Sequence, residues 1–309
     1  MALALVLLAP LFFFGGPDWS SGPLYKAAWN LGHPLFFALL TLWANPWRWL
    51  SGWSLWLSVT VATTLIGIGV EVIQDSIDRQ ADWHDLLRNL MGAWLVLAWQ
   101  PSRSCGTPPI QLSLQRTARF ATAALVLLEI SSVAQVAYQQ YEVYRQLPRL
   151  YDLSLEHPRR YWSGALNRVS NFRGSNRPAL EIALGTERYS GVSLHNLPSD
   201  WLGYDALHLE LHNPSNAPLT MTLRVNDVRH DRGDNAYGDR FNTRLFLQPG
   251  INEFTIDLDE VRTAPATRSM DMNEIRRIVL FTTYLPSPET VYLTEIRLLR
   301  DATSTQPLH

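Results

Sequence analysis

Seven polar residues lie in or beside strongly apolar segments: His33, Glu71, Gln74, Arg79, Asp82, Asp85 and Asn89. Glu71 and Gln74 share one helical face, and Asp82, Asp85 and Asn89, spaced i, i+3, i+7, share another. Ionisable groups at membrane depth cost about 2.5–3.5 kcal/mol each on insertion scales and are functional candidates by default. Three chemistries fit this set. Arg79 or Arg88 could neutralise two carboxylates and lock helices together; the cluster could receive a ligand or lipid headgroup; or Glu71 or His33 could act as general base with Asp85 as partner. No His-x-x-x-His or comparable spacing occurs, so no metal site is assigned. A second dense set, at 227–239, holds Asp227, Arg229, His230, Asp231, Arg232, Asp234, Asn235, Tyr237 and Asp239. Asp227, His230, Asp234, Asn235, Tyr237 and Asp239 form its candidate ligand loop. Their polar atoms could hydrogen-bond sugar hydroxyls while Tyr237 stacks on a ring, or their oxygens could hold calcium, although the EF-hand pattern is absent. The third reading of the loop is self-neutralisation by its own arginines. No serine, cysteine or paired-carboxylate arrangement in the second half matches a hydrolase, and no catalytic residue is assigned.

The elements that must position these residues differ between two halves. The chain has 309 residues, a formal net charge of −2 and a mean hydropathy of −0.07, which argues against a nucleic-acid partner. That average conceals a boundary. Residues 1–145 carry 8 basic and 8 acidic side chains against 18 and 20 in the remaining 164, while ten of twelve tryptophans precede residue 100. Five apolar runs, at 2–14, 33–47, 53–72, 86–99 and 120–138, are read as spans. The expected fold is an α-helical transmembrane bundle of about five helices over 1–138, followed by an all-β, jelly-roll-like sandwich. The first run could also be the apolar stretch of a signal peptide. Arg103, Arg116 and Arg119, with no acid between 100 and 119, place that loop in the cytoplasm, whereas Asp75, Asp78, Asp82 and Asp85 outnumber Arg79 on the outer side. Alternation then leaves the amino terminus cytoplasmic and everything after Tyr138 outside. The single cysteine, Cys105, falls on the reducing side and excludes an intrachain disulfide.

Glu71-x-x-Gln74, then Arg79-x-x-Asp82-x-x-Asp85-x-x-x-Asn89-x-x-Gly92, preceded by His33, resembles the VanZ-like membrane protein family over about 20–100. Members often carry a Lys three residues before the His; here that position is Asn30, with Lys26 one turn further back.

Beyond a polar stalk at 139–161 the apolar period changes to two. Segments 179–184, 189–194, 206–212, 219–225, 240–247, 253–258, 277–283 and 291–298 read as strands of a sandwich over 162–301, with a disordered tail at 302–309. Leu207-x-Leu209-x-Leu211, Leu219-x-Met221-x-Leu223-x-Val225, Asn226-Asp227, Asp239-Arg240-Phe241-Asn242 and Gln248-Pro249-Gly250-x-Asn252 resemble the galactose-binding-like sandwich of carbohydrate-binding modules. That resemblance implies glycan contact through polar loops and aromatic rings.

Together these features predict a multi-pass protein of the bacterial inner membrane with an extracytoplasmic sandwich that binds glycan or another envelope polymer. Its partners would be membrane lipids and that polymer, with no cofactor required and a possible role in envelope maintenance or antibiotic response. The alternatives are a membrane enzyme acting on a lipid-linked or surface saccharide, with His33, Glu71, Asp82 and Asp85 central, and a structural scaffold.

Overall fold

The computed structural model describes residues 2–12, 16, 21–75, 83–100 and 109–300. It divides into two compact units, Met1–Gln139 and Gln140–His309.

The first unit is helical, with α1 (Ala2–Leu8), α2 (Pro23–Asn30), α3 (Gly32–Ala44), α4 (Gly52–Asp75), α5 (Trp83–Trp99) and most of α6 (Pro109–Arg145). Helix α3 stops at Asn45, which takes the left-handed conformation (φ 50°) and caps Thr41 O before Pro46. Helices α3 and α5 meet at Gly92, where any Cβ would collide with the Pro34 backbone carbonyl. Only glycine permits that approach. Helix α5 meets α4 through Val59, Ala93 and Leu97, with Trp94 Nε1 donating to Thr60 Oγ1 at 2.9 Å.

The expected five-helix transmembrane bundle is not what forms. Among the described residues two helical segments, Gly52–Ile73 and Gln115–Arg145, are long and apolar enough to cross a membrane. Composition alone overcounted because apolar runs do not set helix length. Helix α1 has 7 residues and α3 has 13, the latter about 20 Å at 1.5 Å per residue, short of a hydrocarbon core of about 30 Å. Helix α5 has 17 residues and begins with polar turns. The two long segments keep 17% and 6% of their apolar windows buried, so nearly all of that surface is uncovered.

The second unit is a sandwich of two five-stranded antiparallel sheets. One runs β1 (Trp162–Gly164), β4 (Ser190–Leu194), β9 (Ile275–Thr282), β6 (Leu219–Asp227), β7 (Phe241–Leu247). The other runs β2 (Leu166–Val169), β3 (Ala179–Leu184), β10 (Glu289–Leu299), β5 (Ala206–Asn213), β8 (Gly250–Asp257). The eight expected strands are β3 to β10; β1 and β2 are additional and very short. Helices α7 (Val228–Arg232) and α8 (Leu258–Thr263) follow β6 and β8. Alternation aims Leu207, Leu209 and Leu211 against Met221, Leu223 and Val225, all fully buried between the sheets. Each such side chain stabilises by about 1.5–3 kcal/mol. Leu150 and Tyr151, from the segment expected as a stalk, join this core beside Trp162 and Trp201.

Each sheet carries a bulge that breaks the alternation. In β9 the register passes from Asn226↔Arg277 to Asp227↔Ile275, which leaves Arg276 as the extra residue. In β10 it shifts between Leu293 and Glu295, leaving Thr294 extra. Both bulges put two successive polar residues outside the core.

Candidate functional site

In the helical unit, His33 is buried and joins two residues of α5. Its Nδ1 lies 3.0 Å from Asn89 Oδ1 and its Nε2 lies 3.3 Å from Asp85 Oδ2. Arg88 Nη1 donates to Asp85 Oδ1 at 2.7 Å, and its Nε is 3.4 Å from Glu129 on α6. Three helices are thus tied by one polar chain, beside the close approach at Gly92. Glu71 is half-buried near the end of α4, and Gln74 lies in the same helix. Arg79 and Asp82 lie outside the described residues. An imidazole held by a carboxylate is the arrangement of an oriented base, but His33 is only 3% exposed. What the arrangement visibly does is pair helices.

The 227–239 loop closes on itself. Asp227, fully buried, caps α7 by accepting from His230 N at 2.9 Å and also accepts from Asp271 N at 2.9 Å. Arg268, which the sequence did not single out, donates from Nη2 to Asp227 Oδ1 and to Asp239 Oδ2, both at 2.9 Å, and from Nε to Asp239 Oδ1 at 2.6 Å. Burial alone would raise Asp227, but Arg268 and the two amides outweigh it and hold the carboxyl below its usual range. Arg268 does the same to Asp239. His230 Nε2 lies 3.1 Å from Arg224 Nη2 and 3.0 Å from Asn235 Oδ1, and His230 Nδ1 faces Asp239 Oδ2 at 3.3 Å. Asn235 Oδ1 accepts from Arg224 at 3.3 Å. Asp234 and Tyr237 remain exposed, with the Arg240 guanidinium 5.2 Å from the Tyr237 ring centre. Among the described residues no group of three His, Cys, Asp or Glu side chains is placed to hold a metal ion.

The outer face of the β2-β3-β10-β5-β8 sheet holds a cleft that sequence reading missed. It has a volume of about 490 Å³ and is lined by Phe172, Arg173, His212, Tyr292 and the turn Asn213 to Asn216. That volume lies within the roughly 300–1,000 Å³ of small-molecule sites. Cross-strand pairing sets Tyr292 of β10 directly opposite His212 of β5. Phe172 closes the group, with ring centres 5.0 Å from Tyr292 and 5.2 Å from His212. A sharp turn follows, in which Arg173 (φ 54°) and Gly174 (φ 72°) are both left-handed. Holding a non-glycine residue there costs about 1–2 kcal/mol. It brings Arg173 Nη1 to 3.2 Å from His212 Nε2. Burial first, then Arg173, push His212 below its usual range. The neutral ring therefore accepts at Nε2 and carries its proton on Nδ1, which has no partner among the described residues. The Tyr292 hydroxyl donates to Glu181 Oε2 at 3.3 Å, and burial first, then Glu181, raise its phenol. Aromatic faces beside amide, hydroxyl and guanidinium donors are the equipment for stacking and hydrogen-bonding a polar ring. A second cleft of about 520 Å³ lies beside Arg297 of the same strand, is lined by charged residues such as Glu142, Arg149 and Asp152, and lacks an aromatic ring.

The cleft residues are 40 and 80 positions apart in sequence, so no local motif announces them. The available signal was the doublet Thr294-Glu295 between inward apolar residues, which marks a bulge beside the site.

No family model matches the chain, so the VanZ-like resemblance gains no support from that comparison, and no curated protein matches either. Several solved structures are similar to about half of it. A family 11 carbohydrate-binding module from Clostridium thermocellum, in complex with a beta-1,3-1,4-mixed-linked tetrasaccharide, is 14% identical over 49% of this chain and 95% of its own, with a TM-score of 0.37. A carbohydrate-binding module specific for non-crystalline cellulose is 14% identical over 50% and 93%, with a TM-score of 0.34. An agarase is 17% identical over 50% and 26%, with a TM-score of 0.37. At these identities and scores the likeness carries no ligand, site or activity over to this chain.

Proposed function

We propose that this chain is a membrane-anchored glycan-binding protein of a bacterial envelope, with the Phe172–His212–Tyr292 cleft as its sugar site. The observation that carries the proposal is the convergence of three rings on one sheet face beside a polar rim. The bordering Asn213-Pro214-Ser215-Asn216 turn supplies short polar side chains, and Arg173 lines the same cleft. A pyranose presents an apolar ring face and equatorial hydroxyls, which match an aromatic wall with a polar rim. Gly52–Ile73 and Gln115–Arg145 would serve as the anchor, since both present uncovered apolar surface. Arg103, Arg116 and Arg119, at or just before the start of the last helical segment, favour the cytoplasm and so put the sandwich outside.

Two experiments test the proposal. The purified full chain in mild detergent, run on an array of envelope and β-linked polysaccharides, should be retained by at least one; retention by none overturns the glycan reading. In intact cells Cys105 should resist an impermeant thiol reagent, and labelling would overturn the orientation.

A further inference from the structure

The opposite face of the sandwich, outside the β1-β4-β9-β6-β7 sheet, concentrates positive charge. Arg224 projects outward from β6, and Arg240 immediately precedes β7. Arg276 and Arg277 would alternate in and out on a regular strand, but the β9 bulge turns both outward. Arg277 Nη2 and Arg276 Nε reach the same oxygen, Asp231 Oδ2, at 3.4 and 3.8 Å. Asn226 lies between these residues, directly opposite Arg277, and its Oδ1 accepts from Arg224 Nε at 3.1 Å.

The charge is not balanced. Among the described residues Asp231 is the one carboxylate within ion-pair distance of these four guanidinia. Its other oxygen already accepts from Asn226 Nδ2 at 2.9 Å. Among the described residues Arg224 hydrogen-bonds to no carboxylate; its partners are Asn226, His230 and Asn235. The buried Nε atoms of Arg240 and Arg277 have no hydrogen-bond partner among the described residues. Burial first, and then Arg240 and Arg277, bring Arg224 down to about 10, with Asp231 offsetting only part. Across the sheet, burial first, and further Arg277 and Arg276, hold His195 below its usual range. This contrasts with Arg268, whose guanidinium is fully engaged by two carboxylates and stands above its usual range.

We propose that the Arg224–Arg240–Arg276–Arg277 face is an oxyanion-binding site for a carboxylate, sulfate or phosphate group of an acidic ligand. Guanidinium forks match the planar edges of such groups, and a multiply charged anion would supply the missing counter-charge. The site lies on the opposite sheet from the aromatic cleft and does not depend on it.

The full chain is titrated with sodium sulfate, inorganic phosphate and oligogalacturonate, each against sodium chloride of equal ionic strength, by thermal unfolding and calorimetry. Saturable stabilisation beyond chloride is expected from at least one. Tighter binding of the oligomer than of equal charge as free phosphate or sulfate assigns the oxyanion to a polymer; equal affinity assigns it to a free anion. The double variant R240Q/R277Q should bind at least tenfold more weakly and, without anion, still unfold cooperatively, since Arg276 continues to face Asp231. Wild-type responses no different from chloride would overturn the proposal without reference to any variant. So would a folded double variant that responds as the wild type does.

Discussion

The 227–239 loop and the Phe172–His212–Tyr292 cleft belong to the same sandwich and are both rich in polar groups, yet they treat hydrogen-bonding capacity in opposite ways. In the loop nearly every strong group is consumed internally. Arg268 engages Asp227 and Asp239, His230 bridges Arg224 and Asp239, and Asp227 also caps α7. In the cleft the rings are packed but the polar valence is incomplete, with His212 Nδ1 buried and unpartnered among the described residues and Arg173 donating to an imidazole rather than a carboxylate. The lesson is that charge density in a short stretch favours self-neutralisation. Buried charges must be paired, and nearby residues of opposite sign are the first partners a folding chain meets. Sites form where distant strands deliver donors without delivering their acceptors.

That contrast can be broken at several points. The largest effect is expected from Asp227→Ala, which takes away the fully buried one of the two carboxylates that engage Arg268 and removes the α7 cap. Removing one partner of a buried pair costs about 3–5 kcal/mol, read as a lower urea midpoint for proteolysis of the sandwich. A loss under about 1 kcal/mol would mean that the loop network is dispensable. Tyr292→Ala should act on binding: losing the central ring should weaken glycan retention by roughly thirtyfold, corresponding to about 2 kcal/mol. Arg173→Gly should separate strain from recognition. Relief of the left-handed backbone should raise stability by about 0.5–1 kcal/mol while glycan affinity falls several-fold, measured by thermal unfolding and affinity electrophoresis. Tyr237→Ala should be nearly silent, within about 0.5 kcal/mol of wild type, because the ring is 72% exposed.

Acid provides a further comparison. Asp227 and Asp239 are depressed in the folded state, so their contribution to stability is present above the ordinary carboxylate range and is lost as pH falls through the folded values. Wild-type stability should therefore decline steeply below about pH 4, and Asp227→Ala should show a shallower decline over that window.

Much of the sandwich was legible because its strands alternate. Leu207, Leu209 and Leu211, and Met221, Leu223 and Val225, could face only one core. The short strands Trp162–Gly164 and Leu166–Val169 were not, since three or four residues offer no period to detect. The bulges hid the outward faces of β9 and β10, although Arg276-Arg277 and Thr294-Glu295, each flanked by buried isoleucine or leucine, carry the mark of an inserted residue. The helical half misled for a different reason. Hydropathy measures apolar length along the chain, whereas helix length is set by stops such as Asn45-Pro46, and α3 ends there. Within that half the His33–Asp85–Asn89 association was foreshadowed by residue type and spacing, while Glu129 joined it from a helix whose partner could not be read.

The most direct measurement compares full-length wild type, Tyr292→Ala and Tyr237→Ala for retardation in native gels containing the polysaccharide that retains the wild type most strongly. Retardation of wild type and Tyr237→Ala, with loss of retardation for a folded Tyr292→Ala, is the expected result. Loss in Tyr237→Ala with retention in Tyr292→Ala would contradict it and return the site to the 227–239 loop.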